Sequence, residues 1–158
     1  MKLEEILKKL PRLNCGECGY SCVEMARRIA EGKAKFEDCV ILAAGKKLVL
    51  EVDGKAIPVG KFVQDIIRRA NIGILKAIID VNSGDCINIK INLENNEVEV
   101  RLNDKRILLD EKTIKILRNA VLGMISTLKM VWLGDKSKIF IEINVDENDL
   151  KIPYAGFE

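Results

Sequence analysis

Residues 48–93 read LVLEVDGKAIPVGKFVQDIIRRANIGILKAIIDVNSGDCINIKINL, and residues 98–145 read VEVRLNDKRILLDEKTIKILRNAVLGMISTLKMVWLGDKSKIFIEINV. The two stretches align as copies of one unit. Lys55 pairs with Lys105, Ile57 with Ile107, Ile66 with Ile116, Arg68 with Arg118, Ala70 with Ala120 and Gly73 with Gly123. Gly84 and Asp85 pair with Gly134 and Asp135, after which a two-residue insertion brings INIKINL against IFIEINV. Two copies of a unit this long make a duplication and not a solenoid.

Each copy reads strand, turn, strand, helix, strand. Asp53-Gly54 and Asn103-Asp104 stand between short β-like runs, where hairpin turns stand. Residues 60–80 and 110–131 carry long apolar helical patterns. Ile87, Ile89, Ile91 and Leu93 alternate with Asn88, Lys90 and Asn92, and Ile139, Ile141, Ile143 and Val145 repeat the alternation. A strand of that kind belongs to a sheet with one buried face. The expected fold class is α+β: a duplicated ββαβ domain, with a six-stranded, mostly antiparallel sheet carrying two long helices on one face. Phe62, Val63, Ile66, Ile67, Ile74, Leu75 and Ile78 spread around the first helix, which predicts packing against both the sheet and the partner helix. Gly73 and Gly123 cost helix stability, and a close crossing of the two helices accounts for them. Arg68, Arg69 and Arg118 read as ordinary solvated or paired arginines.

Working outward, composition bounds the chemistry. The chain has 158 residues, 48% hydrophobic and 32% charged, enough apolar material for a core and too much for disorder. Lys plus Arg is 26 and Asp plus Glu is 24, so no global charge favours nucleic acid or anionic lipid. Aromatics are 4%, too few to interleave a basic stripe with the stacking residues that nucleic-acid binding uses. There is no histidine, which excludes His bases, Ser–His triads and His-ligated metal. Met1–Lys9 is charged and lacks the apolar run of a secretory signal, and no run is long enough to span a membrane. The expected location is cytoplasmic.

The cysteines divide the chain into an N-terminal module, residues 1–42, and the repeat domain, residues 43–158. Cys15, Cys18, Cys22 and Cys39 follow the spacing C-x2-C-x3-C-x16-C, and Cys86 stands alone in a strand, where it reads as a small buried hydrophobe. Gly16 and Gly19 make the backbone pliable enough for three thiolates to converge, and amides in such a loop can point at anionic sulfur. A helical pattern of Val23, Met25, Ala26, Ile29 and Ala30 begins at Cys22, whose thiolate the helix dipole would favour. Gly32 stops that helix, and KAKFED has room to return and deliver Cys39. A dense triplet with one distant ligand is a common way to hold a [4Fe–4S] cluster. Structural zinc, a thioredoxin-like Cys15/Cys18 pair and inert core cysteines are the competing readings. Zinc ribbons use two knuckles where this chain has one, the redox pair lacks its preceding strand, and inert cysteines have no reason to gather around glycines. Arg27, Arg28, Lys33 and Lys35 stand near enough to bias a cluster's potential.

Residues 10–39 also resemble the small Fes iron–sulfur domain of the corrinoid iron–sulfur subunit of the acetyl-CoA decarbonylase/synthase complex and of an Rnf electron-transport subunit. The match runs through Leu10, Pro11, Asn14, Cys15, Cys18, Gly19, Cys22, Ala26, Gly32 and Cys39. The gap between the second and third Cys is one residue shorter than that family's, and Val40 stands where it has Pro. The CGYSC core is similar to an Fes-like extension of archaeal MobB-type molybdopterin-guanine dinucleotide biosynthesis proteins. There the extension follows a nucleotide-binding domain, and this chain has no G-x4-G-K-[ST] loop. The resemblance implies a 4Fe–4S cluster on Cys15, Cys18, Cys22 and Cys39. It also implies a non-catalytic iron–sulfur subunit whose protein partner belongs to a redox or cofactor-biosynthesis complex. A repeat domain that holds a pterin-type or corrinoid cofactor, and a zinc-stabilised interaction module, are the alternatives. Homo-oligomerisation stays open. The tail IPYAGFE, with Tyr154 and Phe157, is expected to pack on the domain or to serve a partner.

Overall fold

The structure is a computed structural model and describes residues 1–12, 14, 16, 18–44 and 47–151. The proposed ligand Cys15, the apolar Leu13 and the tail with Tyr154 and Phe157 therefore lie outside the described residues. The N-terminal part holds α1 (Leu3–Lys9), α2 (Cys22–Ala30), a 3-10 turn (Phe36–Asp38) and α3 (Val40–Ala44). There follow β1 (Leu48–Val52), β2 (Lys55–Ala56), α4 (Lys61–Lys76) and β3 (Cys86–Asn92), then β4 (Glu97–Leu102), β5 (Lys105–Ile107), α5 (Glu111–Ile125), β6 (Lys138–Asn144) and α6 (Glu147–Leu150).

The chain is a mixed α+β protein whose described residues form a six-stranded sheet in the order β2-β1-β6-β3-β4-β5, antiparallel throughout. Exchanging β1, β2 and β3 for β4, β5 and β6 leaves that order unchanged except for its direction. The register aligns apolar rows across four strands. Leu50, Ile141, Ile89 and Val100 form one, and Val52, Ile139, Ile91 and Val98 the next. These rows face Ile67, Ile72 and Leu75 of α4 and Leu117, Val121 and Ile125 of α5 in a single core. The other face carries Asn88, Lys90, Glu99, Arg101 and Glu142. Alternation at period two makes this division.

Both hairpins turn as the sequence predicts. Asp53 and Gly54, at φ 52° and 80°, and Asn103 and Asp104, at 50° and 66°, occupy the two left-handed positions of a type I′ turn. The long helices are shorter than their patterns. Past Lys76, the Ile78 N–H donates to the Leu75 carbonyl, and past Ile125 the Leu128 N–H donates to that of Ile125. These tighter i→i+3 bonds end each helix and turn the chain back toward the sheet, with Val81 entering the core.

The inward face of α4 differs from the expected one. Phe62 is 77% exposed, and Ile66 and Ile78 also face solvent. Gln64, Ile67, Arg68, Asn71, Ile72 and Leu75 are buried instead, a stripe at helical spacing with Phe62 and Ile66 off its edge. The polar members are accommodated by hydrogen bonds. Gln64 Nε2 donates to the Val59 carbonyl at 2.9 Å and Asn71 Nδ2 to the Ile67 carbonyl at 2.7 Å. Of the two states expected for Arg68, solvated or paired, it takes the paired one. It lies buried between α4 and α6, paired with Asp149 and, at 3.2 Å, with Asp65.

The expected glycine crossing is absent. Gly73 and Gly123 are exposed, and a Cβ at either would meet nothing within 4 Å. The helices meet through larger side chains on the face turned toward the sheet. A tight approach occurs elsewhere: a Cβ at Gly60, the cap of α4, would lie 3.2 Å from Val40 Cγ1 of α3. That contact ties the N-terminal helices to the sheet-bearing part. Those helices hold a core of their own, Ile6, Leu10, Met25, Ala26 and Cys39. Among the described residues no helix is long and apolar enough to cross a membrane.

Candidate metal centre

The loop between α1 and α2 is shaped by left-handed residues. Helix α1 stops at Leu10, whose extended backbone precedes Pro11, since a residue before proline is driven out of the helical region. Arg12, Asn14, Gly16 and Gly19 then take φ values of 60°, 48°, 73° and 87°. The Gly19 N–H closes a turn onto the Gly16 carbonyl at 3.0 Å. At Gly16 and Gly19 the absence of a Cβ removes the penalty for this conformation.

Cys22 is the first residue of α2. Ser21 caps the helix by accepting from the Glu24 N–H at 3.1 Å. Asn14 grips Cys22 from across the loop: its backbone N–H donates to Cys22 Sγ at 3.4 Å, while its Oδ1 accepts from the Cys22 N–H at 3.0 Å. Cys18 Sγ donates to the Tyr20 carbonyl at 3.4 Å. Gly32, at φ 73°, ends α2, with the Lys33 N–H returning to the Arg28 carbonyl at 2.8 Å. The 3-10 turn follows, fastened where Asp38 Oδ2 accepts from the Lys35 N–H at 2.8 Å. It delivers Cys39, which is 6% exposed, onto Met25 and Ala26.

Cys18, Cys22 and Cys39 line one recess, walled by Leu10, Met25 and Ile41 and flanked by Tyr20. The described thiols are free. The structure thus brings together three of the four cysteines that the spacing selects, with Cys15 outside the described residues. Among the described residues no three Cys, Asp or Glu side chains stand already arranged to hold a metal ion. The donor set still suits an iron–sulfur cluster: soft sulfur ligands, apolar walls, and a backbone N–H aimed at one sulfur.

Three of the expected tuning cations have partners of their own. Arg27 pairs with Glu24 and Lys33 with Glu31, both at 2.9 Å on the surface. Arg28 lies over the Tyr20 ring, 4.6 Å from its centre, and so buttresses the rim of the recess. Cysteine spacing carries no sign of this contact, since Tyr20 and Arg28 stand eight residues apart and meet only through the fold. Cys86 is not a core hydrophobe. It sits half-buried on the polar face of the sheet, with its thiol 3.5 Å from Glu142 Oε1. Burial, and then the Glu142 carboxylate, push its pKa up from the ordinary thiol value.

Residues 10–41 match the family model described as "Putative Fe-S cluster". The chain is 36% identical over 81 residues to a protein of Methanocaldococcus jannaschii named "Putative molybdopterin-guanine dinucleotide biosynthesis adapter protein", a match covering 51% of this chain and 33% of the relative. It is 38% identical over 60 residues to the "Corrinoid/iron-sulfur protein large subunit" of Moorella thermoacetica, covering 37% of this chain and 13% of the relative. The chain therefore spans a third or less of the length of these relatives. No solved structure matches.

Proposed function

We propose that this protein binds one [4Fe–4S] cluster through Cys15, Cys18, Cys22 and Cys39 and presents it to a protein partner through the sheet-bearing part of the chain. The observation that carries the reading is the apolar recess onto which Cys18, Cys22 and Cys39 converge inside the segment that matches an iron–sulfur family. Bound there, such a cluster supplies one-electron redox chemistry. The protein's own residues provide thiolate ligands, an amide donor to Cys22 and a wall that limits water. The self-consistent sheet order supports reading residues 48–93 and 98–145 as a duplication, and the two separate apolar clusters support reading residues 1–42 and 43–158 as two modules.

A second reading places the chain as an adapter in molybdopterin or corrinoid cofactor metabolism. The match to the Methanocaldococcus jannaschii protein favours it. An 81-residue similarity cannot be confined to residues 10–41 and must include part of the sheet-bearing region.

Anaerobic reconstitution with iron and sulfide tests the ligand set. The expected result is about four irons and four sulfides per chain, with visible absorption lost on oxidation. Replacing any one of the four cysteines with Ser should lower the iron content, and Cys86→Ser should not. Stoichiometric zinc without sulfide would establish the third reading, a zinc-stabilised module. Co-purification from native extract then separates a redox partner from a cofactor-biosynthesis partner.

A further inference from the structure

We propose that Asn14 is a positioning residue for the Cys22 sulfur, and that it acts through two hydrogen bonds made before any cluster is bound. The inference rests on the reading of Cys22 as a cluster ligand.

The two bonds form a reciprocal clamp across eight residues. The Asn14 N–H donates to Cys22 Sγ at 3.4 Å, and Asn14 Oδ1 accepts from the Cys22 N–H at 3.0 Å. Each solves a local problem. The Cys22 N–H is among the first of α2 and has no partner within the helix, so a side-chain acceptor is needed from outside. The sulfur, in turn, receives a donor that stabilises negative charge on it. The backbone that permits both is left-handed at Asn14, with φ 48°. Among non-glycine residues, Asn tolerates this conformation well, and it also carries the required oxygen. Glycine would keep the conformation and lose the oxygen. Alanine would lose the oxygen and disfavour the conformation.

The other described cysteines of the recess are held differently. Cys18 Sγ points to the Tyr20 carbonyl, an acceptor, and Cys39 is seated by burial among Met25 and Ala26. Cys22 is therefore the ligand whose sulfur is set by an amide donor. Such donors raise a cluster's potential by stabilising its more negative, reduced form.

Metal-free protein under thiol-reducing conditions provides the first test. Hydrogen exchange at the Cys22 amide should be at least tenfold faster in Asn14→Ala and Asn14→Gly than in the unsubstituted chain. Asn14→Asp, which keeps an acceptor oxygen and tolerates the same backbone, should stay close to the unsubstituted rate. Equal rates in all four proteins would overturn the clamp. Circular dichroism of α2 in Asn14→Gly guards against a variant that has merely unfolded. If α2 is lost in both Ala and Gly, slow exchange restored by Asp alone still supports the clamp, and its absence in Asp overturns it. In reconstituted protein, Asn14→Ala should retain iron and titrate with dithionite at a more negative potential than the unsubstituted chain. Full iron with an unchanged potential would overturn the effect on the cluster. Failure of the unsubstituted chain to take up iron and sulfide would instead refute the ligand reading, while the exchange result would still decide the clamp.

Discussion

The guanidinium of Arg68 on α4 and the carboxylate of Asp149 on α6 form an ion pair in which both side chains are 1% exposed, although 81 residues separate them. Arg68 also donates to the Asn144 carbonyl at 3.1 Å at the end of β6. One side chain thus fastens α4, the last strand and the following short helix together. Removing one partner of a buried pair leaves the other charge stranded, which typically costs 3–5 kcal/mol. Asp65 and Asp146 remain within 3.2 Å and 3.7 Å of Arg68, so Asp149→Ala should fall near the lower end, about 3 kcal/mol in urea unfolding. A cost below about 0.5 kcal/mol would mean that the pair contributes no more than a surface one.

The same corner predicts a pH dependence. A hydrogen bond from the Lys47 ammonium, at 2.5 Å, is the leading reason that Asp146 is pushed from its ordinary value of 3.8 down to about 2. A carboxylate with a depressed folded-state pKa stabilises the fold above its unfolded value. This contribution is complete above about pH 4 and declines as the pH falls through about 2. Lys47→Met should move the Asp146 transition upward in a carboxyl-carbon NMR titration. An unmoved transition would assign the shift to other groups.

Gly73 and Gly123 should respond to substitution in the direction opposite to a helix-crossing contact. Each sits within a helix, faces open space and takes a conformation that any L residue accepts. Replacing a solvent-facing helical glycine with alanine gains roughly 0.5–1 kcal/mol, partly by restricting the unfolded chain. Gly73→Ala and Gly123→Ala should each raise the thermal midpoint. A fall at either position would show that something occupies the space beside it.

Iron removal should act locally if residues 1–42 form a module. The N-terminal core of Ile6, Leu10, Met25, Ala26 and Cys39 is separate from the core of the sheet and its helices. Metal-site folding energy then belongs to the smaller core. Chelation of reconstituted protein should speed hydrogen exchange in α2 by at least tenfold while α4 keeps its protection. Equal loss in both helices would show that the Val40–Gly60 contact couples them into one cooperative unit.

Much of this molecule follows from rules that act over two to four residues. Strict alternation in Ile87–Ile91 and Ile139–Ile143 determined which sheet face is buried, because successive strand side chains point to opposite sides. Asp53-Gly54 and Asn103-Asp104 determined the hairpins, because those residue types accept the left-handed turn positions. The helical pattern that begins at Cys22, with Gly32 behind it, determined where α2 begins and ends. Tertiary structure decided what those rules cannot reach. Apolar residues surround α4, so periodicity alone does not tell which stripe turns inward. Burial of Arg68 depended on carboxylates that arrive from α6, and with Arg68 inward Phe62 and Ile66 were left to solvent. Placement of β6 between β1 and β3 required strands from both ends of residues 48–145, and no local signal specifies such a partner. The meeting of Cys39 with Cys18 and Cys22 depended likewise on the packing of the 3-10 turn against Met25 and Ala26, since sixteen intervening residues can close in many ways and only burial selects one.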